Sequence, residues 1–340
     1  MKNHEHTEIT QPTLLCDAKG HLNPAAAGWS RFPVYTSNLK GHSLRKKKWN
    51  YWCITSSRYL FSLTISDVDY VGLVFVYYMD FETGEYGEDT LTIPFGSGIT
   101  MGEKMSDTAE YESEKARVRF TYHGNQIQLS TYWKNVQSKQ LESEITITVP
   151  ANHETLNVVV PWSETRFQYT SKQHCLPAQG YFKVNGKEFS LSSDDAFACQ
   201  DFGRGVWPYA ISWNWGAFST RNNGHTIGFN SGDKWTDGTG ITENSVCIDG
   251  RLYKITGPLK WQYNNHDFMQ PWSIAGKQGG VEVDLTFTPF FDRHSNTNLL
   301  ILQSAVHQCF GKYSGTITVN GVTHTIPQAI GWAEEHIAKW

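Results

Sequence analysis

Gly180-Tyr181-Phe182-Lys183-Val184-Asn185-Gly186 returns 135 residues later as Gly315-Thr316-Ile317-Thr318-Val319-Asn320-Gly321. Both copies end in Asn-Gly, the dipeptide that supplies the positive φ of a tight type I′ hairpin. The flanking residues read as strand: aromatic or β-branched, with polar residues between. Further turn signals stand at His123-Gly124-Asn125 and Asp249-Gly250. Around them lie short β-rich runs such as Val118–Tyr122, Gln126–Tyr132, Glu144–Val149 and Leu156–Val160. Only Thr108–Lys115 and Ala333–Lys339 have the composition of a helix, and both are short. The chain therefore reads as all-β, built from many evenly spaced strands as in barrels or sandwiches.

The echo continues beyond each hairpin. The first copy leads to Asp201-Phe-Gly-Arg-Gly-Val-Trp207, and the second to Gly331-Trp-Ala-Glu-Glu-His336 with Trp340 beyond it. Each is a glycine-containing segment bearing an acid and Trp. An offset of 135 residues matches one β domain of ordinary size, so duplication is the reading. Residues 1–13 are expected to be a flexible tip, 14–205 a first barrel and 206–340 a second.

Composition narrows the class. The chain has 340 residues, Lys+Arg 29 against Asp+Glu 33, and a net charge of −4, which gives no bulk reason to expect nucleic acid. Its apolar runs, such as Val71–Tyr78, are far shorter than the ~20 residues of a membrane helix. The polar Met1–Thr10 start lacks an apolar signal core, and six scattered cysteines without C-x-x-C suggest inert thiols in a reducing, cytoplasmic setting. No P-loop, no G-x-S-x-G and no dinucleotide fingerprint occurs, and the His and Cys residues lack metal-ligand spacing, so neither a cofactor nor a metal is expected. The 13 Trp, 16 Tyr and 18 Phe are the unusual feature.

Four segments carry a resemblance. Leu22-Asn-Pro-Ala-Ala-Ala-Gly-Trp-Ser-Arg-Phe-Pro33, Arg45-Lys-Lys-Lys-Trp-Asn-Tyr-Trp52, Asp201-Phe-Gly-Arg-Gly-Val-Trp-Pro-Tyr209 and Trp235-Thr-Asp-Gly-Thr-Gly-Ile-Thr-Glu-Asn244 stand in order along the chain. Together they resemble the bacterial family called domain of unknown function 2804, from about Leu14 to Trp340. That family is distantly similar to the hydroxyneurosporene synthase (carotenoid hydratase)-like group. The resemblance implies two lipocalin-like, or calycin-like, β-barrels in tandem. It also implies kinship with hydratases, cyclases and pericyclic enzymes that act on apolar substrates without a cofactor.

The residues themselves suggest where chemistry would sit. In an extended strand Trp207, Tyr209, Ile211, Trp213 and Trp215 share one face, a row of roughly 26 Å at about 3.3 Å per residue. Such a row either fills a core or walls a pocket whose ring faces stabilise a cation. Asp201 and Arg204 flank Gly203 just before it, and Gly203 with Gly205 suggests a tight bend. Either the two form a structural pair, or Asp201 is a buried general acid and Arg204 positions the ligand. Trp235, Asp237 and Asn244 lie in a turn-rich polar segment that is either turn chemistry or ligand contact. Glu243 either pairs with Lys254 at the surface or points inward as an acid–base partner of Asp201. The basic run Arg45–Lys48 reads as a solvated strand edge, and His307 as a satisfied interior histidine.

The leading expectation is a cofactor-free lyase or isomerase acting on an apolar small molecule at the cleft between the barrels. A carrier of hydrophobic ligands is the alternative, and a glycan-processing enzyme using the pair Asp201 and Glu243 is the second.

Overall fold

The computed structural model describes residues 7–299 and 302–340. Of the tip expected at 1–13, residues 1–6 lie outside the described residues, whereas Ile9 and Thr7 exchange backbone hydrogen bonds with Trp29. The chain is all-β, in two tandem lipocalin-like antiparallel barrels. The first is a fourteen-stranded sheet and the second a nine-stranded one. In each, the opening long strand pairs with the closing one and curls the sheet on itself. Lys46–Thr55 pairs with Phe197–Val206, and Ala210–Asn222 with Val322–Lys339.

The repeated glycines perform the same backbone task in both halves. Gly180 has φ 130° and Gly315 φ 131°. A Cβ on either would lie 2.1 Å from a carbonyl oxygen, that of Glu144 or Asp284. Asn185-Gly186, Asp249-Gly250 and Asn320-Gly321 all take positive φ at both positions, as type I′ turns require. Asn320 is exposed at φ 50°. Substituting Asn320→Thr is expected to cost about 1–2 kcal/mol, because a β-branched residue resists this conformation. The readout is a lower urea midpoint at unchanged slope.

Strand alternation separates two kinds of face. Along Lys46–Thr55, Trp52 and Ile54 point into the first barrel's core with Phe61, Leu63 and Phe182. Tyr51 and Cys53 point the other way, into a cluster with Trp215, Phe310 and Trp332 of the second barrel. Core residues such as Phe229, Trp272 and Phe287 fill the second barrel. Each large side chain so buried stabilises the fold by roughly 1.5–3 kcal/mol. A further seam cluster joins Trp29 and Val158 to Trp207, Trp235 and Leu252. The barrels thus pack outer face against outer face.

Three expectations are corrected. Thr108–Lys115 contains the strand Ala109–Glu112, and Ala333–Lys339 closes the strand Val322–Lys339. The latter is hydrogen-bonded on both sides, so sheet pairing overrides its helical composition. Arg45–Lys48 does not guard a sheet edge: it leads into an interior strand, Lys46–Thr55, paired with Phe197–Val206 throughout and with Tyr59–Asp67 from Lys48 onward. Lys47 is buried, its ammonium 4.5 Å from the centre of the Tyr70 ring, and burial lowers its pKa to about 8. Gly203 and Gly205 make no bend: both lie inside the strand Phe197–Val206. Gly203 is small because the Trp49 indole covers it, 2.0 Å from where a Cβ would stand.

Candidate functional site at the barrel seam

The strand Arg166–Val184 opens Arg-Phe-Gln-Tyr and then buries the polar run Thr170–His174, of which Thr170, Lys172 and His174 share one face. Strand register sets Lys172 directly opposite Asp201, and Asp201 opposite Tyr51. The result is a row of chemically distinct groups across three neighbouring strands of the first barrel. The Lys172 ammonium lies 2.9 Å from Asp201 Oδ2, while Thr170 donates its hydroxyl to Asp201 Oδ1 at 2.8 Å.

The second barrel covers this row. Trp215 lies over Lys172, with Nζ 4.0 Å from the ring centre, a cation–π contact in a water-poor site. Glu243, only 2% exposed, brings Oε2 to 3.4 Å from the same ammonium. Its other oxygen accepts the Trp235 indole N–H. Gly232 makes the room: a Cβ there would stand 1.8 Å from Glu243 Oε1. Asn230 ties the two together, accepting from Trp215 Nε1 at 2.8 Å and donating to the Glu243 carbonyl. Lys172 therefore bridges two carboxylates from the two barrels.

A third carboxylate completes the cluster. Glu334 sits opposite Trp215 in the ladder and accepts from Trp213 Nε1 and Gln308 Nε2, both at 3.0 Å. Burial, reinforced by the charge of Asp201, raises its pKa to about 7 against the pull of those donors and Lys172. Burial also raises Glu243, with Lys172 opposing and Asp201 adding to it. Burial alone would lower Lys172, but Asp201 and Glu243 outweigh it and hold the ammonium charged. His174 is neutral, its pKa lowered to about 3 by burial and then by Lys172.

The structure thus brings Asp201, Glu243, Trp213, Trp215 and Trp235 together. Trp207 stacks on Trp235 with ring centres 5.6 Å apart and donates to Gln168. These rings pack on one another: Trp207, Trp215 and Trp235 are each 5% exposed. The open edge lies at Asp201, whose side chain is 14% exposed, beside the half-buried Trp49, Tyr51 and Trp213.

Other candidates fall elsewhere. Arg204 lies on the opposite face from Asp201, stacked on Phe202 and bonded to Asn50 and to the carbonyls of Trp49, Gly102 and Gly203. Tyr209 precedes the strand and is 47% exposed, and Asp237 is exposed in its turn. Asn244 is buried and holds backbone groups of Gly232 and Gly257. Lys254 does not meet Glu243 at the surface. It is buried, bonded to Thr242, Asn244 and Ile255, and burial lowers its pKa to about 7. His307 is paired with Asp292 and stacked on Phe268. All six cysteines are buried free thiols.

Lys172 and Glu334 are not picked out by the sequence. For Lys172 the available signal is the unbroken polar run Thr170-Ser-Lys-Gln-His174 in the middle of a strand, with Tyr169 before it and Leu176 beyond it. Glu334 stands in the echo, but its run reads as helix, which scatters Trp332, Glu334 and His336 instead of aligning them.

The chain matches, over residues 6–340, the family described as Domain of unknown function (DUF2804). It belongs to that family. No curated protein matches the DUF2804 chain in sequence. Among solved structures it is similar to CghA with Sch210972, at TM-score 0.55 and 8% identity, covering 95% of this chain and 97% of that one. It is also similar to kievitone hydratase from Nectria haematococca, at TM-score 0.50 and 14% identity, covering 88% and 90%. At such identities the likeness shows a shared fold spanning both barrels of the DUF2804 chain. No helix among the described residues is long and apolar enough to cross a membrane.

Proposed function

We propose that this DUF2804 chain is a cofactor-free lyase or isomerase that uses general acid–base catalysis on an apolar small molecule at the barrel seam. One observation carries the reading: a single ammonium, Lys172, holds Asp201 at 2.9 Å and Glu243 at 3.4 Å, beside Glu334 with a pKa of about 7. A buried ammonium flanked by three acids costs stability that simple packing does not require. In this reading Asp201, at the open edge, meets the substrate. Glu334 holds a proton available near neutral pH, and Lys172 keeps the carboxylates in register. Tyr51, Trp213 and Trp215 are the walls that tolerate developing positive charge. Arg204 is set aside as the positioning group because it faces away. Kievitone hydratase, whose fold is shared, is a hydratase by name, which fits a lyase. Buried free thiols fit a cytoplasmic setting.

A carrier of hydrophobic ligands is the second reading, favoured by the engagement of Asp201 with Lys172. The test is incubation of wild type and Asp201→Asn with a small-molecule extract, followed by mass spectrometry. Catalysis predicts a substrate–product pair, differing by water or isomeric, with turnover reduced roughly 10²–10⁴-fold in the variant. A ligand retained unchanged by both proteins would establish the carrier and reject the enzyme.

A further inference from the structure

A cleft of about 810 Å³ opens where turns of the first barrel meet the outer face of the second. It is distinct from the carboxylate cluster, none of whose residues line it: Ser57, on its rim, lies past the end of the strand Lys46–Thr55, of which Tyr51 to Thr55 alone spans about 13 Å.

Two adjacent ladders break register at this level. Pro289 pairs with Gly311 but Phe291 with Phe310, leaving Phe290 as the extra residue. Tyr313 pairs with Ala329 but Gly315 with Ile326, so Ser314 faces both Pro327 and Gln328. Bulges redirect side chains, and neighbouring ones at a single cleft are a construction rather than a defect. Here they turn Phe290 outward, 38% exposed, to meet Phe81 edge-on at 5.2 Å from the opposite barrel. Pro289 and Pro327 add rigid apolar surface.

The charges are unequal. Arg58 is committed to Asp80 at 3.1 Å and Glu82 at 2.9 Å. Lys312, on the floor, is exposed and donates to the Gln328 amide oxygen at 3.1 Å, with no carboxylate within salt-bridge distance among the described residues. An uncommitted ammonium beside two accessible rings calls for an anion with an apolar body.

We propose that this cleft binds a small amphipathic carboxylate, its apolar part against Phe81 and Phe290 and its carboxylate on Lys312. The occupant touches both barrels. The probe is 4-phenylbutyrate, with 4-phenylbutanamide as the uncharged control, followed by saturation-transfer NMR on the full chain. Saturable binding is expected, weakened roughly threefold or more by Lys312→Gln, by Phe290→Ser and by the amide. Asp201→Asn is expected to leave it unchanged, which separates this site from the seam. Both cleft substitutions are at exposed positions, and unchanged thermal midpoints verify folding. Absence of saturable binding up to about 10 mM, or an affinity indifferent to both substitutions, overturns the proposal.

Discussion

Substituting Lys172→Met is expected to destabilise the protein by about 3–5 kcal/mol, the range for removing one partner of a buried ion pair. The loss arises from what remains. Glu243 is 2% exposed and its Oε2 has no hydrogen-bond donor among the described residues, so the ammonium is its main compensation. Asp201 keeps, among the described residues, the Thr170 hydroxyl. Methionine preserves much of the volume beneath Trp215 but removes the charge that the ring faces. The double variant Lys172→Met with Glu243→Gln is expected to recover a substantial part, since it deletes the stranded charge together with its partner. The penalty is largest at pH 7 to 8 and shrinks as pH falls toward the ordinary carboxyl range, where the stranded acids take up protons. Urea midpoints for the two variants at pH 5 and 8 read all of this. A cost that is equal at both pH values and unrelieved by Glu243→Gln would reduce Lys172 to a packing residue.

The second large effect belongs to Glu334. Its pKa rises from an ordinary 4.5 to about 7 on folding, chiefly through burial. For an acid shifted upward, the folded state holds its proton more tightly than the unfolded state does. That contribution is fully present below pH 4.5, declines between 4.5 and 7, and is lost above 7. The change is on the order of 3 kcal/mol. Glu334→Gln cannot ionise, so it should be more stable than wild type above pH 7 and should lack this decline. The difference between the two pH–stability curves isolates Glu334 from the other titrating groups. If Glu334 also supplies the proton in the proposed reaction, the stabilised variant is the inactive one.

Fold class could be read from turn chemistry because that chemistry is local. Asn185-Gly186 and Asn320-Gly321 require positive φ whatever surrounds them, and two copies at one spacing imply two similar units. The helix expected at Ala333–Lys339 failed because its neighbours are distant in sequence: strands from 210 and 302 claim both of its edges. The site divides in the same way. Asp201 and the indoles were legible as an acid beside an aromatic row. Their meeting point was not, because it depends on register: Lys172 faces Asp201 through pairing of strands that begin thirty-one residues apart. Glu243 reaches that ammonium only because Gly232 vacates the space. Arg204 shows the converse. Proximity along the chain suggested partnership with Asp201, but three residues along a strand is an odd step, which sends the two side chains to opposite faces.

Carboxyl ¹³C NMR of glutamate-labelled protein offers the most direct test of a shared, charge-coupled cluster at the seam. One resonance, identified by its loss in Glu334→Gln, should titrate with a midpoint of about 7 and move to lower pH in Asp201→Asn, where a neighbouring negative charge has been removed. A midpoint near 4.5 that ignores the Asp201 substitution would contradict the account.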